Sequence, residues 1–125
     1  MTYTVIPGST RSPLGRLFMH LVTTRSDPSG DPAADAAIAS TLGVPPLPYT
    51  ADDDAAQTLI PSGWSWGTTA AGTPICVRDA DGHATGGDVR DGQRGNVISI
   101  PSPLARCLAA VGALKFIAWE EWARQ

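Results

Sequence analysis

Residues 61–82, PSGWSWGTTAAGTPICVRDADG, decide the fold, because helical periodicity stops here and strand periodicity begins. Gly63-Trp64-Ser65-Trp66-Gly67 alternates large and small side chains. Thr73–Asp79 places Ile75 and Val77 on one face and Cys76 and Arg78 on the other, the period-two pattern of a strand. Asp81-Gly82 is a hairpin-type dipeptide. Downstream, His83–Arg90 is a weak, Gly-rich strand or loop, Asp91-Gly92 a second turn, and Gly95–Ile100 a strand with Ile98 and Ile100 in phase. The spacing predicts a short antiparallel meander.

Helical signals flank this segment. Ser12-Pro13 reads as an N-cap followed by proline at the first helical position. Leu14, Leu17, Phe18, Leu21 and Val22 then follow at helical spacing and form one apolar stripe. After the polar stretch Thr24–Gly30, Asp31-Pro32 opens a second helix through Leu42, and Gly43 suits its C-terminal cap. Pro45, Pro46 and Pro48 make 44–49 an extended connector. Thr50, three residues before Asp53, suggests a capping box for a third helix over Asp52–Ile60, which Pro61 stops. Ser102-Pro103 is expected to cap a final helix from Leu104 to about Arg124, apolar on more than one side. Met1–Pro7 reads as a short strand in an N-terminal extension, residues 1–12. Helices, then strands, then a helix indicate one α+β domain with a small antiparallel sheet.

Composition narrows the function. A chain of 125 residues buries about two-thirds of its extended-state surface, enough for one core. A net charge of −3 offers no basic footprint for DNA. The apolar run Cys107–Phe116 is interrupted by Lys115, so no membrane span is expected, and no leader pattern opens the chain. Cys76 and Cys107 lack metal-ligand spacing and read as reduced, buried thiols of a cytoplasmic protein. His20 and His83 have no partners at zinc-site spacing, and Asp79-Ala80-Asp81-Gly82 lacks the glycine placement and the glutamate of a calcium loop. No nucleophile elbow or phosphate loop is present. Neither a catalytic constellation, a metal nor a cofactor is expected.

Three blocks carry a family resemblance: Asp35–Gly43 (DAAIASTLG), Pro48-Tyr49-Thr50, and Asp54–Trp66 (DAAQTLIPSGWSW). Together with Ser102–Leu114 (SPLARCLAAVGAL) they resemble the phage αβα-sandwich domain family over residues 32–114. Residues 115–125 extend the last helix beyond the family pattern and carry Trp119-Glu120-Glu121-Trp122. The resemblance implies a phage or prophage source and a sandwich of helices on a sheet. It brings no established catalytic residues.

The expectation that follows is a noncatalytic phage accessory protein in the host cytoplasm. It would sequester a small anionic ligand, such as a cyclic-nucleotide-type immune signal, and so counter host defence. Arg78, Arg90 and Arg94 would grip phosphate, because a guanidinium binds it bidentately. His83 lies in the same hairpin. Trp64 and Trp66 share a strand phase and read either as core aromatics or as a platform for a base. Trp119 and Trp122 suggest a subunit interface, hence a homo-oligomer, most simply a two-fold dimer. The alternatives are a module that blocks a host protein and a virion or assembly component.

Overall fold

The computed structural model describes residues 12–24, 29–70, 72–86 and 102–124. Its elements are α1 (Pro13–Thr23), α2 (Pro32–Leu42), α3 (Asp53–Gln57), β1 (Trp64–Thr68), β2 (Pro74–Arg78), β3 (Ala84–Gly86) and α4 (Ser102–Ala123). The strands form one antiparallel sheet in the order β1-β2-β3. The class is α+β, as the sequence pattern implies. The expected strands at 1–7 and 95–100 lie outside the described residues.

The caps explain the first two helices. Ser12 accepts from the Gly15 amide at 2.9 Å, with Pro13 at the first helical position. Asp31 accepts from the Ala33 and Ala34 amides, and Gly43 closes α2 at φ +67.

α3 differs from expectation. It spans only Asp53–Gln57, and its cap is Asp52, which accepts from the Asp54 amide. Thr50 is not a cap because its groups are spent elsewhere. Its hydroxyl accepts from the Asp31 amide at 2.7 Å and donates to Asp35 Oδ1 at 2.8 Å, and its own amide donates to the same oxygen. This knot fastens the proline connector to the first turn of α2. Gly30 completes it: φ is +81, and a Cβ there would sit 2.7 Å from the Ala51 Cβ. Thr50 is 1% exposed, so Thr50→Val would strand the Asp31 amide and one hydrogen-bonding site on Asp35. The expected loss is about 1–3 kcal/mol, read from the urea midpoint.

α4 is the spine. Leu104, Ala105, Cys107, Leu108, Ala109, Ala110, Val111 and Ala113 are all buried. α1, α3, β2 and β3 pack against it, and α2 packs on α1. Small residues let the sheet come close: Thr85 Oγ1 donates to the Ala109 carbonyl at 2.8 Å. Ser102 lies within α4 rather than ahead of it, and its hydroxyl donates to Asp53 Oδ1 instead of accepting from a first-turn amide. By length and composition alone α4 is long and apolar enough to cross a membrane, a property that a helix packed into a protein core shares, and 44% of that stretch is buried inside the structure. Alanines and Gly112 keep the window apolar despite Arg106 and Lys115. Contacts with the other elements account for the apolarity of its first half.

Registers fix the two faces of the sheet. Trp64 pairs with Arg78, and Trp66 with Cys76. Cys76 is fully buried, so these residues share the face turned to α4. Ser65, Ile75 and Val77 lie on the other face. Among the described residues, α4 is the helix that packs extensively on the sheet.

Candidate functional site

The turn between β2 and β3 places the key polar groups. Its loop is four residues, 79–82, longer than a two-residue Asp-Gly turn. Arg78 and His83 close it, with the Gly82 amide bonded to the Arg78 carbonyl and Gly82 at φ +74. Asp81 accepts from the His83 amide at 3.1 Å. Its carboxylate also meets Arg78 fork to fork, Nε–Oδ1 at 3.0 Å and Nη2–Oδ2 at 2.6 Å. Arg78 Nη1 donates in addition to Glu120 Oε1 on α4. This clamp ties the hairpin tip to the exposed half of the helix.

Aromatic rings surround the clamp. The Arg78 guanidinium lies 5.0 Å from the centre of Phe116 and 5.8 Å from that of Trp64. His83 stacks on Phe116 at 3.8 Å between centroids, nearly parallel at 15°. Trp64 meets both rings edge-on at 6.3 Å. Phe116 in turn lies 6.4 Å from Trp119. The result is a run of rings, Trp119–Phe116–His83, edged by Asp81 and Glu120. Trp119 is 49% exposed and Trp122 36%, so the end of the run is open.

The two strand tryptophans part company. Trp64 is 7% exposed and belongs to the core. Trp66 is half-buried, donates weakly to the Gln57 carbonyl at 3.4 Å, and carries the Arg106 guanidinium 4.9 Å above its ring. Arg106 Nε also donates to Asp53 Oδ1 at 3.2 Å, joining α4 to α3.

Arg78, His83 and Trp64 therefore do come together, with Trp66 on the same face further along β1. Arg90 and Arg94 lie outside the described residues. Sequence reasoning missed Phe116, Glu120 and Arg106 as members of these clusters. Phe116 and Glu120 are four apart on a helix, a spacing that puts them on one face; that was the available signal. The partner of Asp81 could not be read, because it lies across a turn.

Electrostatics decide what the cluster can bind. Three of Arg78's five N–H groups point at carboxylates, and those hydrogen bonds, chiefly from Asp81, push its pKa further up. One cation faces two anions, so an incoming phosphate meets a net negative site. The same contact holds the Asp81 carboxyl well below the usual carboxylate range. Because that pKa is depressed by folding, the stabilisation is present above the unfolded value of roughly 3.9 and is lost as pH falls through the acid range. Asp81→Asn should therefore lower Tm at pH 7, and the gap to wild type should shrink in strong acid, as followed by circular dichroism.

The thiols are positioned as core groups. Both are unpaired and buried. Burial pushes Cys76 and Cys107 up to about 12 each, and Cys107 also faces the charge of Asp35. A thiol with so little thiolate is a poor nucleophile. The native protein should resist an aromatic disulfide reagent at mildly alkaline pH and react at both cysteines once unfolded in guanidinium. Fast labelling of the native state would contradict this burial. Among the described residues no three His, Cys, Asp or Glu side chains converge as a metal site.

Comparison with family models, curated proteins and solved structures gives no match to this chain.

Proposed function

We propose that the protein is a phage accessory module that acts by binding rather than catalysis, and that it engages a protein partner through the aromatic end of α4. The observation that carries this reading is the ring run Trp119–Phe116–His83, which ends in an open tryptophan on a braced helix. Exposed tryptophan on a rigid element is the typical anchor of a protein interface. The Arg78 clamp supports it further, since it holds the platform in shape before any partner arrives. The two thiols, held protonated, fit a protein without a cysteine nucleophile.

This reading places the blocking module ahead of the anionic-ligand sequestration expected from the arginines. Arg78 faces Asp81 and Glu120, and its neighbourhood disfavours phosphate. The partner class includes a second copy of the chain, as Trp119 and Trp122 first suggested.

Site-specific crosslinking tests the reading. Trp119 is replaced by photoreactive p-benzoylphenylalanine, with exposed Ala70 on the far turn of the sheet as the control position. The expected result is one discrete protein adduct from position 119, absent from position 70 and several-fold weaker in a Trp122→Ala background. An adduct of twice 13.0 kDa would identify the partner as a second copy. Equal, diffuse labelling from both positions would reject the surface.

A further inference from the structure

A second feature lies away from α4. At the first turn of α2 an open cavity of about 270 Å³ is lined by Pro32, Asp35, Ala36, Pro46, Leu47 and Pro48. Three of these residues are prolines, whose fixed φ makes the walls stiff. Leu47 is 40% exposed, an apolar side chain left facing solvent at the rim.

The cavity is apolar apart from one carboxylate. A helix N-terminus ordinarily offers amides to an anion, but here they are spent. Pro32 has none, the Ala33 and Ala34 amides bond to the Asp31 carboxylate, and the Asp35 amide bonds to the Asp31 carbonyl. Asp35 thus sets the sign of the site. Both hydrogen bonds that it accepts end on Oδ1, from the amide and hydroxyl of Thr50. Oδ2 receives none from a described residue and is available to a donor. The Thr50 knot fixes this carboxylate without satisfying it.

We propose that this cavity binds a small organic ammonium ion: the apolar body lies against Pro46, Leu47, Pro48 and Ala36, and the ammonium donates to Asp35 Oδ2. The volume falls just under the usual range for drug-sized ligands, roughly 300–1,000 Å³. It suits a single ring on a short amine chain. The site is independent of the α4 surface and stands or falls separately from it.

The test uses three probes that share a phenylethyl body and differ in the head group: 2-phenylethylammonium, its isostere 2-phenylethanol and the slightly larger 3-phenylpropanoate, each titrated into ¹⁵N-labelled full-length protein. The expected result is saturable shifts of the Ala36 and Leu47 amides with the ammonium. The alcohol should bind about tenfold more weakly or worse, and the carboxylate should show no saturation. Asp35→Asn keeps an acceptor oxygen for Thr50 while removing the charge, so it should fold and lose the preference for ammonium over alcohol. Leu47→Ser, which removes an apolar wall without removing any partner of the Asp35–Thr50 hydrogen bonds, should weaken both probes alike. No saturable shift with the ammonium, or equal affinity for ammonium and alcohol in the wild-type protein, would overturn the proposal. That wild-type comparison decides the matter even if the Asn variant fails to fold.

Discussion

Trp64→Ala is expected to cost about 3–5 kcal/mol, the usual range for deleting a buried aromatic, and to bring a small domain close to unfolding. Trp64 is 7% exposed and packs edge-on against His83 and Phe116, with Arg78 over its ring. Its loss opens a void beneath the clamp and leaves Arg78 stacked on Phe116 alone. Trp66→Ala should cost far less, about 1–2 kcal/mol, from partial burial and the loss of one cation–π contact. Urea midpoints measured side by side give the comparison. Equal losses would show that the two tryptophans share one environment, against the asymmetry described here.

Gly86→Ala should be nearly as damaging for a methyl group's change. Gly86 sits at φ +98, a conformation whose strain costs a side-chain-bearing residue about 1–3 kcal/mol. The added Cβ would also stand 2.6 Å from the Ala109 Cβ and 2.9 Å from its Cα, so helix and strand must move apart. Overpacking of that kind typically adds about 1–3 kcal/mol. Ala109→Gly in the same molecule should recover only part of the loss, because the clash with the helix backbone and the strain at position 86 both remain. Full recovery, measured by thermal unfolding of the double variant, would mean that strain contributes nothing.

Where the sequence was legible, the cause was local. Ser12-Pro13 and Asp31-Pro32 announce helix starts because the cap and the proline act within one turn. The alternation of Trp64 and Trp66 announces β1 because both share the face turned to α4, whereas Ile75 and Val77 announce β2 through the period of two alone, since the fully buried residue is Cys76 between them. What failed was set by distant partners. Thr50 has the spacing of a cap, yet Asp31 and Asp35 claim it. Arg78 has the chemistry of a phosphate ligand, yet Asp81, three residues on across the turn, engages it first, and Glu120, far along the chain, adds the second carboxylate. Trp64 and Trp66 share a strand phase and could not be told apart, because the difference lies in what α4 and α3 bring over them. The Asp35 cavity had no sequence signal beyond three prolines near an acid.

The placement of α4 has a kinetic consequence. The bonds that fasten it reach back 58 residues from Cys107 to Tyr49, 53 from Arg106 to Asp53 and 42 from Glu120 to Arg78. Contacts of such long sequence separation are slow to form, since loop closure comes before any reward. During synthesis every other described element leaves the ribosome before the helix that covers it. Leu21 and Cys76, sealed in the finished protein, stay open to other chains throughout that interval. Folding is therefore gated by the arrival of one segment, and nascent chains paused short of it are the ones most exposed to aggregation.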